Sequence, residues 1–293
     1  MIARGATLEG LRRQRPEWEP WLVVVEETLR EAADPGWDAA IPAASDARRT
    51  AVPTLGGATL VLDVRAVHGL WERLIRIASR TGTPQMSTLK GALSEDLEML
   101  PLFTASLCQN NDLIKELTAT SGADAAALQA IITLLPVPFL HACNRRWASS
   151  ISPAWVEGYC PVCGSRPAFA EVRGIERNRY YRCGRCGGEW HAHALQCPFC
   201  AMSDHHQLTV LVPEQGSSND VIEACQHCLG YVKTFTRLQG CSPAAVMLED
   251  LASVDLDVAA IEHGFARPPG PGLALEITVT DKGRRPGFFA WKS

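Results

Sequence analysis

A chain of 293 residues with a formal net charge of −4, 46% hydrophobic and 20% charged residues has the composition of a soluble globular protein. Wholesale disorder and fibrous architecture are excluded, and no global attraction to nucleic acid or anionic lipid is expected. Length allows one large or two to three ordinary domains.

The first eighteen residues carry Arg4, Arg12, Arg13 and Arg15 but neither the apolar stretch nor the small-residue cleavage site of a secretory signal, so a cytoplasmic location is expected. In that reducing compartment the eleven cysteines read as metal or redox chemistry, not disulfides. Residues 17–33 place Trp18, Trp21, Leu22, Val25, Leu29 and Ala32 on one face of an amphipathic helix. A second helix follows from Val67 with Leu70, Trp71, Leu74 and Ile77. Ser87 is expected to cap a third bearing Leu89, Leu93, Leu97 and Leu100, which Pro101 ends or restarts. Asn110 to Asp112 offers a cap for a helix through Thr118, and Asp124 caps one through Leu134. The apolar run 125–143 is interrupted by Gln129, Pro136, Pro138 and His141, which makes it buried helix and turn, not a membrane span. The first half therefore reads as a helical bundle.

Composition changes after Trp155. Eight cysteines fall between Cys160 and Cys228, among glycines and short β-rich runs at 167–172, 179–182 and 206–212. Periodic apolar residues return over 243–263 as one or two helices. The run RPPGPG at 267–272 breaks that pattern, and a strand is expected over 273–279. The fold class is thus α+β: a helical domain over 1–150, metal modules over 155–193 and 194–240, and a helical segment with a tail over 241–293.

The cysteines form four Cys-x-x-Cys knuckles: Cys160 with Cys163, Cys183 with Cys186, Cys197 with Cys200, and Cys225 with Cys228. Metal–sulfur bonds of about 2.3 Å in a tetrahedron put sulfurs roughly 3.8 Å apart, a separation a tight two-residue turn delivers. Glycine after the second cysteine, at Gly164 and Gly187, lets amide N–H groups turn toward sulfur. The simplest pairing is sequential, the first two knuckles around one metal and the last two around another; a cross-braced pairing stays open. Arg179, Arg182 and Arg185 are placed to offset thiolate charge. His191, His193, His205, His206 and His227 lie near the knuckles but are expected to be surface or supporting residues, because eight cysteines already complete two sites. Cys108 and Cys143 read as core thiols, Cys241 as a loop thiol, and Glu189 and Trp190 as hairpin packing. Losing either pair of ligands is expected to loosen the ribbons and spare the helical half.

No phosphate loop, nucleophile elbow or His-Glu-x-x-His helix occurs, and a closed tetrathiolate has no open coordination position, so no enzymatic activity is expected. A nucleic-acid interface would need a basic face, whereas residues 157–240 hold eight Lys/Arg against eight Asp/Glu.

The runs CPVCGSRP from Cys160, RYYRCGRC from Arg179, CPFC from Cys197, EACQHC from Glu223 and YVK from Tyr231, with EHGFARP from Glu262, resemble the formate dehydrogenase accessory protein FdhE family. Residues 193–196 and the longer tail after Pro268 depart from that pattern. The resemblance implies an α-helical amino-terminal region joined to two rubredoxin-like or zinc-ribbon modules. It implies two metal ions, iron ahead of zinc, held by the eight knuckle cysteines. It also implies a role in maturing formate dehydrogenase by engaging its catalytic subunit, without nucleic acid or membrane insertion; self-association stays open. A rubredoxin-like electron carrier and a zinc-ribbon nucleic-acid binder are the alternatives.

Overall fold

The computed structural model describes residues 5–43, 51–80, 83–93, 97–213 and 219–283. Its amino-terminal half is built from α1 (Leu8–Gln14), α2 (Glu19–Ala32), β1 (Thr59–Leu62), α3 (Val64–Arg80), α4 (Pro84–Ser87), α5 (Met99–Leu107), α6 (Asn111–Thr118), α7 (Ala125–Leu134) and α8 (Val137–Trp147). The apolar periodicity drives these helices inward. On α3, Val67, Leu70, Trp71, Leu74, Ile75 and Ala78 are all buried, each large side chain contributing roughly 1.5–3 kcal/mol of burial. On α2, Leu22, Val25 and Ala32 are buried, and so is Glu27, which accepts from Arg73 Nε at 3.0 Å.

Asn110 and Asp124 cap α6 and α7 through side-chain oxygens, as the sequence suggests. The third helix differs. Thr83 is the cap, with Pro84 in the first turn, and Ser87 ends α4 with its hydroxyl turned back to the Pro84 carbonyl at 2.6 Å. A 3-10 turn then carries Leu89, and α5 starts at Met99; residues 94–96 lie outside the described segments. Pro101 sits inside the first turn of α5, where a missing N–H breaks no helical bond. The run Ala125–Ser150 is long and apolar enough to cross a membrane by length and composition, but its most apolar window is 72% buried inside the protein.

The second half contains β2 (Phe169–Arg173), β3 (Asn178–Arg182), β4 (Glu189–His191), β5 (Leu208–Leu211), β6 (Asp220–Cys225) and β7 (Tyr231–Arg237), then α9 (Val246–Ala252), α10 (Val254–Glu262) and β8 (Thr278–Asp281). Each knuckle pair has its own antiparallel strands, yet the strands join in one sheet of order β4-β3-β2-β7-β6-β5. The join is the parallel pair β2–β7, with Phe169 opposite Lys233 and Arg173 opposite Arg237. The tail strand is β8, shifted toward the carboxyl end from the expected 273–279, and it pairs in parallel with β1.

At the centre of the sheet Glu171 is fully buried. Its carboxylate accepts from Arg173, from Arg182 Nη1 at 3.0 Å and from the Cys241 N–H at 3.0 Å, and Arg237 stands 3.6 Å away while reaching Glu249 at 2.6 Å. Burial opposes ionisation of Glu171, but the guanidinium of Arg182, the Cys241 N–H and Arg173 outweigh it and hold its pKa below the ordinary value. On the neighbouring network Asp250 is held low in the same way, burial being outweighed by Arg267 and Lys233. A carboxylate whose folded pKa is depressed stabilises the fold fully above its unfolded pKa and loses that contribution as pH falls through the folded value. Stability is therefore expected to drop below the ordinary carboxylate range. Glu171→Ala, which removes the buried carboxylate shared by Arg173, Arg182 and Arg237 and leaves them only Glu189 and Glu249, is expected to cost about 3–5 kcal/mol in urea unfolding at neutral pH; a loss below about 1 kcal/mol would refute this reading of the network.

Candidate metal centre

The four knuckles share one backbone design. In each, the N–H of the residue after the second cysteine donates to the carbonyl of the first: Gly164 to Cys160, Gly187 to Cys183, Ala201 to Cys197 and Leu229 to Cys225, at 2.9–3.0 Å. That residue lies in the left-handed region every time, with φ of 69°, 71°, 59° and 57°. The turn leaves amide hydrogens facing sulfur. Val162 N–H donates to Cys160 Sγ at 3.4 Å, Cys186 N–H to Cys183 Sγ at 3.5 Å and Gly188 N–H to Cys186 Sγ at 3.4 Å. In the second half the amides of Phe199 and Cys200 act on Cys197, those of Cys228 and His227 on Cys225, and that of Gly230 on Cys228.

The sulfurs gather in two sets of four, each within 4.8 Å: Cys160, Cys163, Cys183 and Cys186 as site A, and Cys197, Cys200, Cys225 and Cys228 as site B. The pairing is sequential, not cross-braced. Sulfurs from facing knuckles are 3.5 Å apart for Cys160–Cys186, 3.6 Å for Cys163–Cys183 and Cys197–Cys228, and 3.7 Å for Cys200–Cys225. These are the edge lengths of a tetrathiolate around an ion with bonds of about 2.3 Å, and too long for the roughly 2.05 Å of a disulfide. All eleven cysteines are free thiols.

The proximity has an electrostatic consequence. Hydrogen bonds from Cys160, Cys183 and Cys186 pull the Cys163 thiol down, while burial pushes Cys160 up and hydrogen bonding to Cys160, Cys163 and Cys183 pushes Cys186 up. Four thiols at this spacing suppress one another's ionisation, and a cation among them is what allows all four to ionise. The donor set therefore fits a soft or borderline metal held by sulfur alone.

The two sites differ in their surroundings. Site A is fully buried and belongs to the same apolar cluster as Leu70, Phe103, Phe139 and Trp147 of the helical half. Knuckle one is also clamped by main chain: Thr54 and Leu55 N–H donate to the carbonyls of Pro161 and Val162, and Gly272 and Leu273 N–H to that of Gly164. Cys143 and His141 of α8 lie beside it; burial and Arg145 push His141 down to about 4, so it is neutral at physiological pH. Loss of site A is thus expected to disturb the helices too, contrary to the separation the sequence suggests. In site B, Cys200 is exposed and Cys228 half-buried.

Of the arginines expected to offset thiolate charge, only Arg185 does so, lowering Cys163 while its guanidinium donates to the carbonyls of Ser106 and Leu107 at 2.7 and 3.0 Å. Arg179 forms a two-bond pair with Glu223 at 2.6 Å, and Arg182 is taken by Glu171. Both guanidinium charges are neutralised by these carboxylates. His191 stacks on Tyr180, Glu189 pairs with Arg173 at 2.8 Å, and Trp190 is buried with its Nε1–H on the Glu157 carbonyl. Burial pushes Cys241 up to about 12 and also raises Cys108, as for inert thiols. The sequence reading missed Ala201 and Leu229, whose only signal is their place after a knuckle.

A helical half fused to tandem zinc-ribbon-like modules of four cysteines each defines an α+β, metal-binding class of protein. A profile described as the FdhE central domain matches residues 159–193. Protein FdhE of Escherichia coli O127:H6 is 28% identical over 209 residues, 67% of this chain and 63% of its own. The FdhE homolog of Aquifex aeolicus is 29% identical over 201 residues, 66% of this chain and 65% of its own. The alignment thus takes in just under two thirds of each relative's length. The crystal structure of the FdhE protein from Pseudomonas aeruginosa shares the fold, with a TM-score of 0.55 over 91% of this chain and 92% of that one at 24% identity. The chain is thus similar to FdhE proteins, in sequence through the knuckle region and in fold over most of its length.

The shared turn predicts an asymmetry between the sites. A Cβ on Gly187 would sit 2.5 Å from the Pro243 carbonyl oxygen, and one on Gly164 2.4 Å from that of Leu273. Gly187→Ala is expected to cost more than about 2 kcal/mol by adding left-handed strain of roughly 1–2 kcal/mol to a clash. Ala201→Gly, which removes such strain at the same turn position, should stay within about 1 kcal/mol of the parent. Equal thermal shifts for the two variants would contradict this.

Proposed function

We propose that this chain is an accessory factor in the maturation of formate dehydrogenase, that it engages the catalytic subunit of that enzyme in the cytoplasm, and that its eight knuckle cysteines hold two metal ions, iron in preference to zinc. Its working parts on this reading are a helical unit over 1–150, metal modules over 155–193 and 194–240, and a helical segment over 241–293. The observation that carries the reading is the pair of four-sulfur sets on a large helical body in a chain similar to FdhE proteins. Both sulfur sets are complete, so neither offers a reacting substrate a coordination position, which supports a binding role over catalysis. A cleft of about 460 Å³ between helices, knuckle two and α9, walled by Trp21, Gln109, Ile114, Arg185, Met247 and Leu251, supplies a concave seam of the kind partners occupy. Pairing of Arg173, Arg179 and Arg182 with carboxylates argues against nucleic acid.

The exposure of Cys200 favours one second reading, a rubredoxin-like electron carrier that meets its redox partner at site B.

Protein purified without oxygen is expected to contain about two metal ions per chain, with visible absorption if they are iron. Under a chelator the ion at exposed site B should leave first and the buried ion only as the protein unfolds, giving two phases separated by loss of helical circular dichroism. One ion or none per chain in the reduced protein would remove the two-site reading.

Deleting the gene is expected to lower formate oxidation without lowering synthesis of the catalytic subunit, and affinity capture from cells making the enzyme should recover that subunit. Full activity in the deletion strain with no client captured would leave the electron carrier as the better reading.

A further inference from the structure

A second kind of metal-ligating cluster lies outside the eight cysteines. Asp204, His205 and His206 offer a carboxylate oxygen and two imidazole nitrogens, all within 4.8 Å of one another. Their convergence is local in origin. Asp204 caps the 3-10 turn His205–Gln207, its Oδ1 accepting the His206 N–H at 3.0 Å, and the turn stacks the two imidazoles with centroids 3.9 Å apart. His205 Nδ1 stands 3.9 Å from the same carboxylate oxygen. The His205 side chain is 73% exposed and that of Asp204 53%, so no packed neighbour prevents rotation toward a common centre. Bonds of about 2.0–2.2 Å from nitrogen and oxygen to an ion need donors roughly 3–3.5 Å apart, a small rotamer adjustment from the observed spacing.

The cluster adjoins site B. His205 lies in the wall of a cavity of about 180 Å³ that Cys197, Phe199 and Cys225 also line. The Gln226 N–H donates to the Gln207 carbonyl at 2.8 Å, fastening the turn to knuckle four. Asp204 supplies a negative charge at the cluster before site B is loaded, and a divalent ion on four thiolates would add two net negative charges once site B is filled. Among the described residues no lysine or arginine lines the cavity, and the one carboxylate there, Glu223, is matched by Arg179. The local field favours a cation.

We propose that Asp204, His205 and His206 form a third cation site, for a divalent first-row transition metal, and that it captures the ion that site B then takes. Two imidazoles and a carboxylate suit such ions, and unlike a set of four thiolates they leave coordination positions for water or an arriving thiolate. Cys200, four residues before Asp204 in the chain, is the exposed thiol of site B, and Cys197 and Cys225 share the cavity wall with His205; the proposed transfer has one of these thiols displace a bound water. Metal–imidazole bonds then break as metal–sulfur bonds form, each thiol giving up its proton to solvent and no electron being transferred. Ion binding by the cluster stands on its own geometry; the transfer step rests on site B being a metal centre.

The test uses the tag-free full chain. With both tetrathiolate sites filled, titration with Co²⁺ is expected to show one further ion per chain whose absorption lacks sulfur-to-cobalt charge transfer. The double variant His205→Ala, His206→Ala should bind that ion roughly tenfold more weakly or worse, with an unchanged melting temperature because both side chains are exposed. No further ion, or equal affinity in the double variant, would overturn the site. Metal-stripped chain given limiting Co²⁺ should develop sulfur–cobalt absorption several-fold more slowly in the double variant, to the same final amplitude. Equal rates would overturn the capture role alone. Absence of any sulfur–cobalt absorption in the unaltered chain would instead remove the metal reading of the cysteines.

Discussion

Four sulfurs within 4.8 Å of one another, enclosed by aliphatic and aromatic side chains, are a demanding thing to build into a protein interior. As thiols they waste buried volume on weak polar groups; as thiolates without a cation they repel one another in a low dielectric. With an ion at the centre the same group becomes a compact cross-link. The apolar cluster around site A draws on α3, α5, α7 and α8 as well as β2, β3 and β7, so helices and sheet meet at the sulfurs. Main-chain bonds from residues 54–55 and 272–273 close over knuckle one. The helical half and the ribbons are thus halves of one core and not beads on a string.

Site B repeats the loop and changes the setting. The left-handed position holds glycine in both knuckles of site A, where neighbouring carbonyls leave no room for a Cβ. In site B it holds Ala201 and Leu229, which tolerate the strain because the surroundings are open. Two copies of one ligand geometry are thereby given different access to solvent, one suited to permanence and the other to exchange.

What could be read from the sequence was what depends on near neighbours. Knuckle spacing specifies a turn that needs nothing beyond four residues, and the caps at Asn110 and Asp124 act within three. The misplaced cap at Ser87 was a competition between local signals, settled by Thr83 with Pro84 one turn earlier. Long-range pairs were hidden. Strand β1 exists because β8 lies beside it, more than two hundred residues on. Strand β7 was obscured by Lys233, a fully buried charge that reads as surface until its partners Asp250 and Asp257, both at 2.8 Å, are seen. Likewise Arg179 and Arg182 looked like counter-charges for sulfur because Glu223 and Glu171 could not be placed from spacing alone.

The parallel seam between β2 and β7 bears on how the chain is made. Fifty-seven residues separate Arg173 from Tyr231, so a ribosome adding about 5–20 residues per second leaves β2 without that neighbour for roughly three to twelve seconds. Knuckles one and two have both emerged by then and can meet, but the sheet edge that carries them stays open until the fourth knuckle has been translated. Closing the edge brings in Lys233 and, soon after, the carboxylates of α9 and α10 that neutralise it. The nascent first module, with β2 already able to pair with β3, therefore presents one open edge of the strand bearing Phe169 and Glu171 during that interval, the window in which a chaperone or a sister chain would find a hold.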